Sequence, residues 1–137
     1  MPRSRIAGLG RFLPSRVVTN DDMRQWMDTT DEWIAQRTGI KERRIAADGE
    51  STGDMAVEAG RMALERSGLK PTDIDTVIVA TTTPDQTFPS VAAAVQDRLG
   101  IPAGAAFDVQ AVCTGFVYGM GIANSFIQSG QSKRVLL

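Results

Sequence analysis

Cys113 is the only cysteine in the chain, and the chain contains no histidine. It stands in the run DVQAVCTGF, Asp108 to Phe116, between an apolar strand-like segment and an apolar, glycine-bearing helical one. Two chemistries compete at this position. A lone cysteine after Val112 is an inert, buried, small hydrophobe in many proteins. At a helix start, free N–H groups and the positive end of the helix dipole instead stabilise a thiolate, the reactive form of the side chain. A sharp strand-turn-helix junction is also how α/β enzymes expose a nucleophile. With no histidine in the chain, the usual partner base of a catalytic thiol has to come from elsewhere.

A second set of residues has spacing with chemical content. In DTTDEWIAQRTG, Trp33 and Arg37 are four residues apart, which puts them on one face of a helix. An indole face offers a stacking platform, and a guanidinium beside it can meet a phosphate or the ring. The plainer alternatives are a tryptophan covering the edge of a core and an arginine solvated at a helix end. Phe88, between Thr87 and Pro89, reads as an apolar side chain presented by a loop, or as a simple loop anchor.

The elements that must position these residues follow from caps and periodicity. Ile6 to Leu13 reads as a first strand stopped by Pro14, and Asn20 as the cap of a short helix to about Met27. Thr29-Thr30-Asp31-Glu32 fits a capping box with Thr29 as N-cap and Glu32 reaching back, and Gly39 ends that helix. Ser51 and Asp54 open a longer helix that Gly68 closes, with Met55, Ala59, Met62 and Ala63 on the inward face. Thr76 to Thr82 is β-branched and almost continuously apolar, as in a parallel strand covered on both faces. Pro89 starts a helix running to Gly100, Ala105 to Val109 is a buried strand, Thr114 to Ser129 a helix closed by Gly130, and Lys133 to Leu137 a last strand. This alternation argues for an α/β fold with a largely parallel sheet around a central buried helix. Gly115, Gly119 and Gly121 each cost that helix up to about 1 kcal/mol relative to alanine. Close approach of a second backbone, or a bend, accounts for them.

The bulk composition narrows the function classes. A net charge of −1 gives no reason to expect nucleic acid or an anionic membrane as a partner. No run reaches about twenty uninterrupted apolar residues, and the N-terminus is too polar for a signal peptide, so the default compartment is cytoplasmic. One cysteine and no histidine leave no disulfide and argue against a metal centre. A chain of this length is ordinarily one domain, yet it ends inside an apolar strand-like segment. Residues 1–137 therefore read as the front part of something longer.

The motifs together resemble the β-ketoacyl-acyl carrier protein synthase III family, condensing enzymes of the thiolase-fold superfamily. DVQAVCTGFVYG is similar to the family's active-site segment, and DTTDEWIAQRTGIKERRIA, Asp28 to Ala46, to its N-terminal signature. GLGRFLPSRVVTN and VIVATTTPDQTFPS appear in the same order and spacing, so the likeness covers essentially the whole chain. It implies most of the first half of a thiolase-like fold, the C-terminal half being absent. It implies Cys113 as the acyl-accepting nucleophile, and Trp33, Arg37 and Thr29 as contacts to coenzyme A. Phe88 would reach across a homodimer into the partner's acyl pocket. It further implies acyl-coenzyme A as substrate with no tightly bound cofactor, malonyl-acyl carrier protein as the second substrate, and a decarboxylative condensation that starts fatty acid synthesis. The family's histidine and asparagine lie in the second half, where they would stabilise the charge that develops on the malonyl thioester oxygen; one such donor is worth about 100- to 1,000-fold in rate. The second half would also cover the central helix. The alternatives are another cysteine-dependent condensing enzyme of secondary metabolism, and a non-catalytic fragment that keeps only binding or dimerisation surface. Acyl-chain preference is not legible in these residues.

Overall fold

The computed structural model describes residues 3–137. They form two compact units: Leu13–Glu50 is one, and residues 3–12 with Ser51–Leu137 are the other.

In the smaller unit, β1 (Arg16–Thr19) pairs antiparallel with β2 (Glu42–Ile45), and α1 (Asp31–Thr38) lies between them in the chain. Asn20 does not cap a helix. The turn that follows is a short 3-10 segment, Asp22–Gln25, with Asp21 at its cap position. Asp22 instead accepts from the backbone N–H and the hydroxyl of Thr19, 2.8 Å each, which ends β1 in a side-chain turn. The cap of α1 is Thr30, one residue later than expected: its hydroxyl accepts from the Trp33 N–H at 3.1 Å. Glu32 does not reach back; its carboxylate accepts from the Gln36 amide at 3.0 Å. Gly39 stops α1 as expected, in the left-handed region at φ 71°, where a side chain would be strained.

In the larger unit, α2 (Thr52–Ser67) opens with the full Ser51/Asp54 capping box and closes at Gly68. The parallel sheet has the order β4-β3-β5, with β3 (Thr76–Ala80), β4 (Ala105–Val109) and β5 (Val135–Leu136), and α3 (Val91–Arg98) joins β3 to β4. β3 stops at Ala80 rather than Thr82, because the Thr81 hydroxyl accepts from the Thr83 N–H at 3.0 Å and turns the chain. Pro89 sits before α3 rather than in its first turn, since Ser90 takes the cap.

Side chains alternate along β3. Val77 and Val79 join Val57, Leu64, Val91, Val95 and Leu99 in a core under α2 and α3. Thr76, Ile78 and Ala80 face the other way, toward α4 (Gly115–Ser129). Phe107 of β4 meets Phe126 of α4 in a tilted pair, 6.1 Å between centroids. The expected inward stripe of α2 is displaced. Val57, Gly60 and Leu64 are buried, and Met55, Ala59, Met62 and Ala63 are half-buried.

The reason is what covers Ala59 and Ala63. No strand forms over Ile6 to Leu13. Residues 3–12 instead cross α2 as an extended segment, and a Cβ at Gly8 or Gly10 would run into the Ala63 or Ala59 carbonyl oxygen. The glycines of α4 also do other work than expected. Gly115 lies over Ala80, where a Cβ would come within 3.2 Å of its Cβ, and Gly119 over Leu137. Both admit this chain's own sheet rather than a foreign helix, and only Gly121 faces open space. The opposite face of α4 is bare, with Phe116, Val117, Tyr118 and Met120 exposed.

Gly10→Ala should destabilise the chain by about 1–3 kcal/mol, the usual cost of forcing atoms into a packed contact. Gly121→Ala should be neutral or stabilising by up to about 1 kcal/mol. Urea titrations of the two variants measure the contrast, and equal losses would contradict the packing described.

Stability should also fall on acidification. The Asp54 carboxyl is held below its usual range, first by the Ser51 backbone N–H, then by the Ser51 hydroxyl and by Arg98. Asp22 and Asp31 are lowered as well, by Thr19 and by Asn20 foremost. A carboxyl lowered on folding adds stability above its unfolded pKa and loses it as the pH falls through the folded value. The urea midpoint should therefore drop below about pH 4, the ordinary aspartate value. Asp54→Asn should make that drop shallower.

Candidate active site

β4 delivers the chain to Cys113, and the turn that follows exposes it. After Val109 come Gln110 and Ala111, then a 3-10 turn over Val112–Thr114 that runs directly into α4. Val112 has φ 49°, a left-handed conformation that a β-branched residue adopts only at a cost of order 1–3 kcal/mol. Among the described residues Cys113 is exposed on this bend and is not packed as a small hydrophobe within its unit. The turn is closed by Thr114, whose N–H and hydroxyl both donate to the Ala111 carbonyl, at 3.1 and 2.7 Å. That hydroxyl is therefore turned away from α4, and no side chain caps the helix. The Gly115 N–H is given to the Val112 carbonyl by the preceding turn, so what the helix start offers negative charge near the thiol is the positive end of its dipole.

Asp108 ties this strand to the neighbouring loop. Its two carboxylate oxygens accept from the N–H groups of Val91 and Ala92, 2.8 Å each, at the start of α3. A carboxylate on two N–H groups at a helix N-terminus is favoured by hydrogen bonding and dipole together. α3 begins two residues after Phe88-Pro89, so the residue that precedes the cysteine by five also fixes the base of the Phe88 loop. The other end of that loop is held by Asp85, whose oxygens accept from the Gly53 N–H at 3.1 and 3.0 Å, and by the Thr52 hydroxyl on the Thr83 carbonyl at 2.7 Å. Phe88 itself is 87% exposed and anchors nothing within its unit.

A cavity of about 440 Å³ lies at the carboxyl ends of β3 and β4, lined by Thr81, Gln86, Ser90, Asp108 and Gln110 among others. That end of a parallel sheet is where α/β folds place ligands. A larger hollow of about 730 Å³ sits at the amino ends of the same strands, beside Asp75, Thr76, Gly104 and Phe126. The polar groups around the larger one are already used: Asp75 accepts from the Lys133 and Arg134 N–H groups, and Thr76 bonds Ser132. Asp108, Ser90 and Thr81 around the smaller one are in use as well, so position alone favours it: it lies at the sheet end from which β4 runs on toward Cys113, although Cys113 does not line it.

The other candidate residues belong to the smaller unit. Trp33 is 51% exposed, not a core-edge residue, and the Arg37 guanidinium carbon lies 4.3 Å from its ring centroid. The pair is a preformed cation–π stack rather than an indole and an unrelated solvated cation. Thr29, one residue before the cap, has a buried hydroxyl oxygen with no hydrogen-bond partner. Two residues do work that the sequence did not mark: Asp108 had no assigned role, and Asn20 only that of a helix cap. An aspartate inside the apolar run AAFDV was the available signal for the first.

Known proteins match both the sequence and this arrangement. The family described as 3-oxoacyl-[acyl-carrier-protein (ACP)] synthase III matches residues 107–137, the stretch that holds Cys113. A β-ketoacyl-[acyl-carrier-protein] synthase III of Rhodospirillum centenum is 56% identical over 135 residues, 98% of this chain and 42% of that protein. The crystal structure of 3-oxoacyl-[acyl-carrier-protein] synthase III from Aquifex aeolicus VF5 superposes with a TM-score of 0.91 and 48% identity, over 96% of this chain and 42% of that one. The priming β-ketosynthase of the R1128 polyketide pathway superposes at 0.87 with 42% identity, over 93% of this chain and 38% of that one. The chain thus spans about two-fifths of the length of the relatives it matches. In sequence and fold it matches the N-terminal part of the β-ketoacyl-[acyl-carrier-protein] synthases III, with their thiolase-like α/β architecture.

Asp108→Ala removes two charge-assisted bonds from the start of α3 and should cost about 1–3 kcal/mol. Cleavage in the segment 81–90 by a protease of broad specificity should speed up in the variant. Unchanged stability and an unchanged cleavage rate would show that the carboxylate does not hold the loop.

Proposed function

We propose that the chain is the N-terminal part of a β-ketoacyl-acyl carrier protein synthase III, a condensing enzyme, and that Cys113 is its acyl-accepting nucleophile. The observation that carries the reading is the exposed thiol of Cys113 on a strained turn before an uncapped helix start, inside the stretch that matches the family. In the first step the Cys113 sulfur attacks the carbonyl carbon of an acyl-coenzyme A. A new C–S bond forms, the bond to the coenzyme A sulfur breaks, and the coenzyme A thiolate leaves and takes up the proton. The positive dipole end of α4 is a source of charge stabilisation for this exchange.

In the second step a malonyl thioester on acyl carrier protein loses carbon dioxide. The resulting enolate carbon attacks the acyl-enzyme; a C–C bond forms, the C–S bond to Cys113 breaks, and the thiolate is restored. The family uses a histidine and an asparagine here, and this chain holds no histidine. The reading assigns both to the remaining length that the relatives have, and assigns condensation to the whole protein rather than to these 137 residues. Trp33 and Arg37 take the nucleotide end of coenzyme A, the indole stacking on the base and the guanidinium beside it, with Thr29, whose hydroxyl is buried, just before their helix. Phe88, exposed on its tethered loop, serves the acyl pocket of a second copy in a cytoplasmic homodimer. Coenzyme A thioesters act as substrates, and no tightly bound cofactor enters the mechanism.

A second reading, a condensing enzyme of secondary metabolism, draws on the likeness to the R1128 priming ketosynthase. The two readings differ in which acyl-coenzyme A is used and share the first step. Incubation with acetyl-coenzyme A followed by intact-mass measurement should give one acetyl adduct on the chain and none on Cys113→Ala. An adduct with longer acyl-coenzyme A alone favours the second reading. No adduct with any acyl-coenzyme A, on either this chain or the longer protein, sinks the assignment of Cys113 and leaves a fragment with binding surface only.

A further inference from the structure

α1 carries Trp33 and Arg37, but it is poorly held by apolar contacts. Ile34 is its only buried residue. One apolar anchor fixes where a helix touches its neighbours and leaves it free to roll about its axis, and a roll would swing the Trp33–Arg37 stack away from any ligand it faces. Directional bonds have to set the rotation, and one side chain supplies them. Asn20, at the end of β1, is 1% exposed. Its amide nitrogen donates to the Asp31 carboxylate at 2.7 Å and to the Ile40 carbonyl at 2.8 Å. Asp31 is the first residue of α1, and Ile40 follows the Gly39 stop. A single amide group therefore holds both ends of the helix. The Asn20 carbonyl oxygen accepts from the Arg43 guanidinium of β2 at 2.7 Å, and that guanidinium also donates to the Val18 carbonyl at 3.3 Å. The second Asp31 oxygen faces Lys41 at 3.6 Å.

We infer that Asn20 is a positioning residue: by clamping Asp31 and Ile40 with one amide, it sets the rotation of α1 and so aims the Trp33–Arg37 stack at the nucleotide of coenzyme A. This rests on the proposed role of that stack. The clamp is fully satisfied, with both N–H groups and the oxygen in use, so it specifies one geometry, where an apolar contact of the same volume would allow several. Every group in the clamp belongs to the chain itself, so a platform that it fixes has little freedom left to lose on binding.

The test uses the full chain with coenzyme A as the probe, and reads affinity by calorimetry and the Trp33 indole N–H resonance by NMR. Trp26→Phe identifies that resonance, since the chain has two tryptophans. Asn20→Asp keeps the acceptor for Arg43 and loses both donors. It should weaken coenzyme A binding at least tenfold and shift the Trp33 resonance. Val18→Ala removes buried apolar volume from the same unit. It should lower the melting temperature while leaving affinity within twofold and the resonance in place. If Asn20→Asp does not fold, Asp31→Ala, which releases one end of the clamp, should weaken binding at least threefold with the same shift. Affinity within twofold and an unmoved resonance in the folded variants would overturn the inference. So would equal losses in Val18→Ala, which would mark a purely structural role. Trp33→Ala separates the two claims. If it binds coenzyme A as tightly as the parent, the nucleotide assignment fails, and the resonance alone decides whether Asn20 orients the helix.

Discussion

β3 has to be covered on every side, and most of the larger unit follows from that. It is the middle strand, paired on both edges, with Val77 in the α2–α3 core and Ile78 on the α4 side, each only 1% exposed. A strand buried on both faces cannot leave a backbone group unpaired without a large penalty, so it needs a neighbour on each edge, and here both run parallel to it. Parallel pairing forces crossover connections, and these are α3 on one face and α4 on the other. The chain that returns from β4 into α4 turns at Cys113. The exposure of the thiol is thus a result of the sheet's topology, sharpened by the left-handed Val112.

Polar clamps carry the fine positioning that this apolar scaffold does not. Asp108 grips the start of α3 and Asp85 the start of α2, so both ends of the Phe88 loop are tied to helix N-termini by carboxylates. In the smaller unit Asn20 does the equivalent for α1. In each case a short side chain with fixed geometry meets backbone or carboxylate groups that would otherwise need water. Removing one partner leaves the rest unsatisfied, which is why such groups are costlier to lose than to keep.

The legible parts of the fold were those written in local code. The Ser51/Asp54 box, the stops at Gly39, Gly68 and Gly130, and the bounds of β4 were each readable from a few adjacent residues, because caps act over one or two turns, but β4 is at most half-buried rather than buried as expected. The β1–β2 pair was not. RVVT and ERRI are short and mostly polar, and what makes them strands is each other, across a separation of 23 positions at the nearest pair, Thr19 and Glu42. Ile6 to Leu13 had strand-like apolarity, but the spacing of Gly8 and Gly10 suits a helix surface rather than a sheet edge. The placement of Cys113 at a strand-to-helix junction and of Trp33 and Arg37 on one helix face was readable from residue type and spacing. Asn20 and Asp108 were not, because their partners lie 11 to 23 and 16 to 17 residues away.

The approach of Gly115 to Ala80 makes the neighbourhood of the thiol lopsided. On the inner side a single added methyl would press on the Ala80 Cβ at 3.2 Å, while on the outer side Val112 and Phe116 stand 74% and 57% exposed. The inner side therefore tolerates little growth: a larger residue at 115 would lift the start of α4 off β3 and move the sulfur with it. The seat of the sulfur is set by the smallest side chains around it rather than by the large exposed ones.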